Sequence, residues 1–244
     1  MNLFDNSVPL NFSLPKEIVN SYYFDKELNG FIISIQNGHL FYSPNFFSVE
    51  IGNRFMNYLL ASNTHEWNNE NWRETNPSGV SWTNIDWKHD KIKMFGKTVL
   101  LPRFSAWYGD KDSSYTYSGL NLQPNEWNKG LLYIKDKVEE VAQAKFNSVL
   151  LNWYRDGQDY ISWHTDSEKD LGINPVIASA NFGVTRRFVL RRIDDHSIKF
   201  EIPLPHGSLL IMKEDLQHFW QHQVPKESKV KGTRINLTFR KIIN

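Results

Sequence analysis

The pattern of apolar positions divides the chain near residue 124. Before that point, Ser13 and Pro15 open a predicted short helix, and Ile51, Phe55 and Leu59 recur at the spacing of one buried helical face, which predicts a helix running to about Asn63. The stretch from Asn63 to Trp87 is rich in Asn and Trp and has little period, so the N-terminal part reads as helices and loops. Between Pro124 and Lys145 the spacing of Trp127, Leu131, Ile134, Val138 and Val141, with Lys and Glu between them, predicts an amphipathic helix. Short β-branched and aromatic runs follow: SVLLNWY, YISWH, VIASANF, RRFVLRRI, SIKFEIPL, GSLLIMK and RINLTFRK. Pro or Gly at 175, 183, 203, 205 and 207 separates several of them. About seven strands within roughly 100 residues, with one long helix outside, predict a mainly β fold, a sandwich or jelly roll with flanking helices, rather than an α/β sheet.

Composition narrows the chemistry. None of the 244 residues is cysteine, which excludes a disulfide framework, a thiolate zinc knuckle, an iron–sulfur cluster and a cysteine nucleophile; any metal must sit on His, Asp or Glu. At 40% hydrophobic and 23% charged, the chain is neither disordered nor collagenous, and its length fits one large domain or a domain with an N-terminal elaboration. No apolar run reaches the ~18 to 20 residues of a membrane helix. The start, MNLFDNSVPLNFSLPKE, lacks the basic and then apolar blocks of a secretory signal. The expectation is a soluble intracellular protein without a membrane partner, cytoplasmic if bacterial and nuclear if eukaryotic.

The net charge of +1 conceals uneven placement. Lys88 to Arg103 holds five basic residues against Asp90, Arg186 to Arg192 holds four without an acid, and Lys226 to the C-terminus holds six against Glu227. Three such islands fit a face that meets an anion, and they fit equally a set of solvated strand arginines.

Candidate chemistry begins at Trp163-His164-Thr165-Asp166. On a strand, residues two apart share a face, so His164 and Asp166 project together. Alone, such a pair is more often a structural hydrogen-bonded couple. A third group changes this: His222 in FWQHQVP lies 58 residues downstream, far enough for a jelly roll to return it to the same mouth. Two imidazoles and one carboxylate are the ligand set of non-haem Fe(II) oxygenases, which fills one face of an octahedron. His218, four residues before His222, is the rival third ligand on spacing alone.

The last strand adds a second feature. Period two places Arg234, Asn236, Thr238 and Arg240 on one face and Ile235, Leu237 and Phe239 on the other. Two guanidiniums and an amide on an inward face would be costly to bury without an anion, so they predict a bound dicarboxylate. A 2-oxo diacid could put its keto acid end on iron and its far carboxylate on the Arg234 fork. Asn152 and Tyr154 in LLNWYRDG, again two apart, offer an amide and a phenol to the same ligand. Were both arginines to face solvent, the strand would need no ligand.

The strings PRFSAWYGD, YTYSGL, NSVLLNWYRDGQDYISWHTDSE, IASANFG, HGSLLIM, QHQVPK and RINLTFRK, spread over residues 102–241, together closely resemble the AlkB family of Fe(II)- and 2-oxoglutarate-dependent nucleic-acid dealkylases. Within it the chain is most similar to the homologues related to the two mammalian DNA-repair members. The resemblance implies a double-stranded β-helix, or jelly-roll, dioxygenase core over 124–244, a nucleotide-recognition region over 91–123 and a covering N-terminal helical and loop extension over 1–90. It implies iron on His164, Asp166 and His222, the family's x-H-x-V-P context selecting His222 over His218. It also implies 2-oxoglutarate held by Asn152, Tyr154, Arg234, Asn236 and Arg240, with Arg240 counted among the catalytic residues beside the triad.

Substrate contacts follow the same resemblance. Lys93-Met94-Phe95-Gly96-Lys97 sets an apolar pair between two lysines, ahead of Pro102-Arg103. An apolar side chain can fill the gap left by an extruded base while cations hold phosphates, and the segment is similar to the hydrophobic wedge of duplex-acting members. Met94 and Phe95 would also pack in a simple hairpin. Tyr115 and Tyr117 match positions lining the family's base pocket, and Glu168 matches an acidic residue near the flipped base. Ser167 departs from the pattern, since many relatives carry a second acid there, so lesion preference stays open.

The expected activity is oxidative repair of alkylated DNA by a monomer. N-methyl groups would leave 1-methyladenine and 3-methylcytosine as formaldehyde, while O2 and 2-oxoglutarate are consumed to give succinate and CO2. The alternatives are an oxygenase of the same fold acting on RNA, a protein or a small molecule, and a jelly-roll binding module with a degenerate site. The intact triad and both arginines speak against the last.

Overall fold

A computed structural model describes residues 9–67, 70–94, 97–113, 115–117 and 120–243, with backbone only at 92–94, 97, 115–117 and 120–122. In chain order the elements are β1 (Val19–Asp25), β2 (Gly30–Ile35), β3 (Gly38–Ser43), α1 (Val49–Leu59), β4 (Lys91–Met94), β5 (Lys97–Leu100), β6 (Phe104–Gly109), β7 (Tyr115–Tyr117), β8 (Leu120–Leu122) and α2 (Lys129–Ala142). Then come β9 (Ser148–Tyr154), β10 (Ile161–His164), β11 (Ile177–Gly183), β12 (Arg186–Arg192), β13 (Lys199–Leu204), β14 (Ser208–Lys213), α3 (Leu216–Phe219), β15 (Trp220–Val224) and β16 (Arg234–Arg240). An eight-stranded sheet ordered β1-β2-β3-β14-β11-β16-β9-β6 faces a four-stranded sheet ordered β10-β15-β12-β13, and β4–β5 and β7–β8 form separate hairpins. The two facing antiparallel sheets are the expected jelly roll.

Period two decides which residues reach the space between the sheets. Val149, Leu151 and Trp153 of β9 and Ile235, Leu237 and Phe239 of β16 turn outward into a core shared with Phe55 and Leu59 of α1 and Leu131, Ile134 and Val138 of α2. Each such large apolar side chain contributes about 1.5–3 kcal/mol by leaving water. The alternate residues of β9, β11 and β16 face the smaller sheet and carry the polar groups of the site. Both long helices begin on a side-chain cap: Ser48 Oγ accepts from the Ile51 amide, and Asn128 Oδ1 from Leu131.

Several expectations are corrected. No helix follows Ser13; residues 16–18 make a turn, with the Ile18 amide on the Pro15 carbonyl, and Val19 begins a strand. The N-terminal 90 residues are not only helices and loops, because β1–β3 extend the large sheet through pairing of β3 with β14. Helix α1 stops at Leu59 rather than near Asn63, whose amide instead bonds the Ser81 carbonyl. The Trp-rich stretch earns its aromatic content: Trp72, Trp82 and Trp87 surround Trp153 at centroid distances of 4.9, 5.3 and 5.6 Å. Strand β15, which carries His222, stands outside the runs picked out by β-propensity.

Candidate active site

Strands β10 and β15 are antiparallel neighbours with His164 directly opposite His222. Their rings lie 4.2 Å apart at 63°. Phe188 of β12 stacks on the His222 ring at 5.0 Å and 28°, closing one side with an apolar face. Asp166, just past β10, is buried, and its amide donates to Gln217 Oε1 at 2.9 Å. Its Oδ1 accepts from the Arg240 guanidinium, which leaves Oδ2 3.7 Å from His222 Nε2. One ligand atom from each of His164, Asp166 and His222 lies within 4.8 Å of the others.

The protonation states suit a cation. His164 Nδ1 meets the Ser162 carbonyl at 2.8 Å, which assigns the proton to Nδ1 and leaves the Nε2 lone pair for a metal. Burial, aided by His164 and Arg240 and opposed by Asp166, lowers the His222 pKa to about 3, so this imidazole is neutral. Burial would raise Asp166, but Arg240, His222 and His164 together outweigh it and hold the carboxyl below its ordinary range. Nitrogen, nitrogen and carboxylate oxygen on one side, without a thiolate, fit a divalent iron. His218 lies outside this cluster, against the Ile173 carbonyl and Asn174 Oδ1. His206 accepts from the Gly183 amide at 2.9 Å.

The inner face of the large sheet supplies the second half of the site. In register across β9, β16 and β11, Tyr154 stands beside Arg234 and Gly183, and Asn152 beside Asn236 and Asn181. Arg234 is 1% exposed, and its Nη2 donates to Asn181 Oδ1 at 2.6 Å. Its Nε and Nη1, and Nε of Arg240, are buried without a hydrogen-bond partner among the described residues. Burial lowers the Arg234 pKa to about 10, with Tyr154 opposing and Arg186 adding to the fall, so the group remains a cation at neutral pH. A buried cation with two unused donors fits a carboxylate fork.

The other diacid candidates share this face with different engagements. Asn236 Nδ2 donates to Ser179 Oγ at 2.8 Å and its Oδ1 accepts from Thr238 at 2.9 Å, so its amide is locked within the sheet. Asn152 Oδ1 accepts from Arg103 Nε at 2.8 Å. Arg103, expected at the nucleic acid, thus touches the cofactor side. Asn181 and Ser179 were missed by sequence reasoning, although period two within IASANFG puts both on the Arg234 face.

Of the remaining substrate candidates, Glu168 is half-buried with Oε2 enclosed and unpartnered among the described residues. Met94 and Lys97 are paired positions of the β4–β5 ladder. Their side chains, those of Tyr115 and Tyr117, and all of Phe95 and Gly96 lie outside the described residues. The β12 island is not an open anion-binding face. Arg186 and Arg187 pair with Glu227, Arg187 also with Glu201, and Arg192 with Asp194, while Arg191 lies over the Trp163 ring at 4.0 Å.

A family model described as the 2OG-Fe(II) oxygenase superfamily matches residues 39–240. The chain is 42% identical over 160 residues to DNA oxidative demethylase ALKBH2 of Bos taurus, covering 63% of this chain and 58% of that protein. It is 41% identical over 167 residues to alpha-ketoglutarate-dependent dioxygenase alkB homolog 3 of Homo sapiens, covering 65% and 58%. Against ALKBH2 of Arabidopsis thaliana it is 34% identical over 200 residues, covering 68% and 64%. The matched region thus spans 58% of the length of the bovine relatives. The solved structure of OsALKBH1 shares the fold, with a TM-score of 0.51 at 16% identity over 83% of this chain and 97% of that one.

Proposed function

The chain belongs to the 2OG-Fe(II) oxygenase superfamily and, within it, to the AlkB family, and on that premise we propose that it is an iron- and 2-oxoglutarate-dependent dioxygenase that oxidatively demethylates alkylated DNA. The observation that carries this reading is the buried, incompletely partnered Arg234 on the inner face beside a His-Asp-His cluster. When bound, iron would supply the redox chemistry that couples O2 and the decarboxylation of 2-oxoglutarate to hydroxylation of an N-methyl carbon. His164, Asp166 and His222 would hold it, and three protein ligands would leave it free to take the diacid and the oxidant as well. Arg240 fixes the carboxylate rotamer. Arg234 would fork the far carboxylate, with Tyr154 and Asn152 lining the way and Asn236 shaping the floor.

The substrates proposed are 1-methyladenine and 3-methylcytosine. Both are cationic and pair poorly, so extruding them costs less than extruding a normal base. Glu168 offers an enclosed carboxylate oxygen to such a cation. Once the methyl carbon is hydroxylated, the hemiaminal loses formaldehyde and restores the base. The 91–123 region would meet the nucleic acid, with Met94, Phe95, Gly96 and Lys97 as the wedge, Tyr115 and Tyr117 stacking on the base, and Arg103 between base and cofactor. Succinate formation on methylated DNA tests the assignment: His164→Ala or Asp166→Ala should abolish it and weaken iron binding, and full retention would refute it.

A further inference from the structure

Arg186 is the other fully buried arginine of the large side chains, at 1% exposure. It opens β12, and each guanidinium nitrogen is engaged. Nε donates to Glu227 Oε2 at 2.9 Å, Nη1 to the Asp156 carbonyl at 3.0 Å, and Nη2 to the Asp159 and Pro225 carbonyls at 3.0 and 2.6 Å. These acceptors belong to two connections. One leaves Tyr154 for the strand of His164, and the other leaves the strand of His222. A single side chain therefore ties together the segments that follow the proposed diacid and iron ligands.

The same guanidinium lies against Tyr154. Its carbon is 5.7 Å from the ring centroid, and that of Arg234 is 5.0 Å from the same ring. The Tyr154 ring is thus flanked by two buried cations, one with every nitrogen engaged and one with two donors unused. Arg234 forms no ion pair among the described residues, whereas Arg186 shares Glu227 with Arg187. Two like charges around one ring repel in a low-dielectric interior, and a dianion arriving at Arg234 relieves that repulsion.

We infer that Arg186 is a positioning residue for the diacid: it seats Tyr154 against Arg234 and adds the positive field that selects a second carboxylate. This rests on the diacid reading given above. Arg186 touches neither diacid nor iron in this account; it acts through the ring and through the field.

The test is calorimetric titration, without oxygen, of Fe(II)-loaded protein with 2-oxoglutarate and with 2-oxobutyrate, the analogue lacking the far carboxylate. Arg186→Gln should weaken 2-oxoglutarate about tenfold while 2-oxobutyrate changes less than about twofold. Arg186→Lys, which keeps the charge and loses the fork, should recover part of the selectivity. It also carries the test if the Gln variant does not fold, since Lys must then weaken 2-oxoglutarate more than 2-oxobutyrate. Parallel weakening of both acids, or no change in either, would overturn the inference. Wild type that binds the two acids equally, or an Arg234→Ala variant that keeps full diacid affinity, would instead refute the diacid reading itself.

Discussion

Arg240 donates from the end of β16 to Oδ1 of Asp166, so that only Oδ2 faces His222 Nε2, at 3.7 Å. The guanidinium thereby dictates which carboxylate oxygen a metal would receive. It also helps hold Asp166 ionised in a site that burial would otherwise push toward the neutral acid. Arg240→Met is expected to lower metal affinity by about 10- to 100-fold, as loss of an orienting partner commonly does. Anaerobic Fe(II) titration without 2-oxoglutarate checks it, and unchanged affinity would limit Arg240 to the diacid.

Arg234 gives an opposite pairing of effects. With two guanidinium nitrogens enclosed and unused, it burdens the ligand-free fold. Arg234→Met should leave ligand-free protein at least as stable to heat as wild type. Its 2-oxoglutarate requirement should rise by roughly a hundredfold or more, the scale of two charge-assisted hydrogen bonds. Asn181 would lose its donor at 2.6 Å but keep Asn236 Nδ2 at 3.4 Å. A large drop in melting temperature would mean that Arg234 is mainly structural.

The His222 imidazole links stability to pH. Its pKa falls from 6.5 to about 3 on folding, so between those values the unfolded chain binds more protons and stability declines as pH falls. Above pH 6.5 this contribution is fully present. Denaturation of metal-free protein between pH 7.5 and 5 should show the decline, and His222→Gln should flatten it. Equal slopes would place the acid sensitivity elsewhere.

Much of this architecture is legible in the chain, for identifiable reasons. Strands β9 and β16 each bury one purely apolar face, so their alternation is readable and places Asn152, Tyr154, Arg234 and Asn236 together. Strand β2 is harder, because FIISI buries Phe31, Ile33 and Ile35 on one face while Ile32 on the other is also apolar and partly buried, which blurs the alternation. Its signals are the turns at Asn29-Gly30 and Asn37-Gly38, where both asparagines take positive φ. The β12 island misleads because its partners Glu201 and Glu227 arrive from other segments, which a charge count along the chain does not see. The Arg240–Asp166 bond joins residues 74 apart and has no local signature.

The proposed wedge separates duplex from single-strand activity. Phe95→Ala should impair repair of methylated duplex more than of methylated single strands, because only the duplex leaves a gap in a base stack to be filled. Rates on both substrates, measured side by side, decide it; equal losses would reduce Phe95 to packing.

The most direct measurement is formaldehyde release from 1-methyladenine- and 3-methylcytosine-containing single-stranded DNA, duplex DNA and RNA, with Fe(II) and 2-oxoglutarate each supplied or withheld. Release from methylated DNA that requires both is expected. Absence of formaldehyde from all DNA substrates by iron-loaded protein, or release that persists without 2-oxoglutarate, would contradict it.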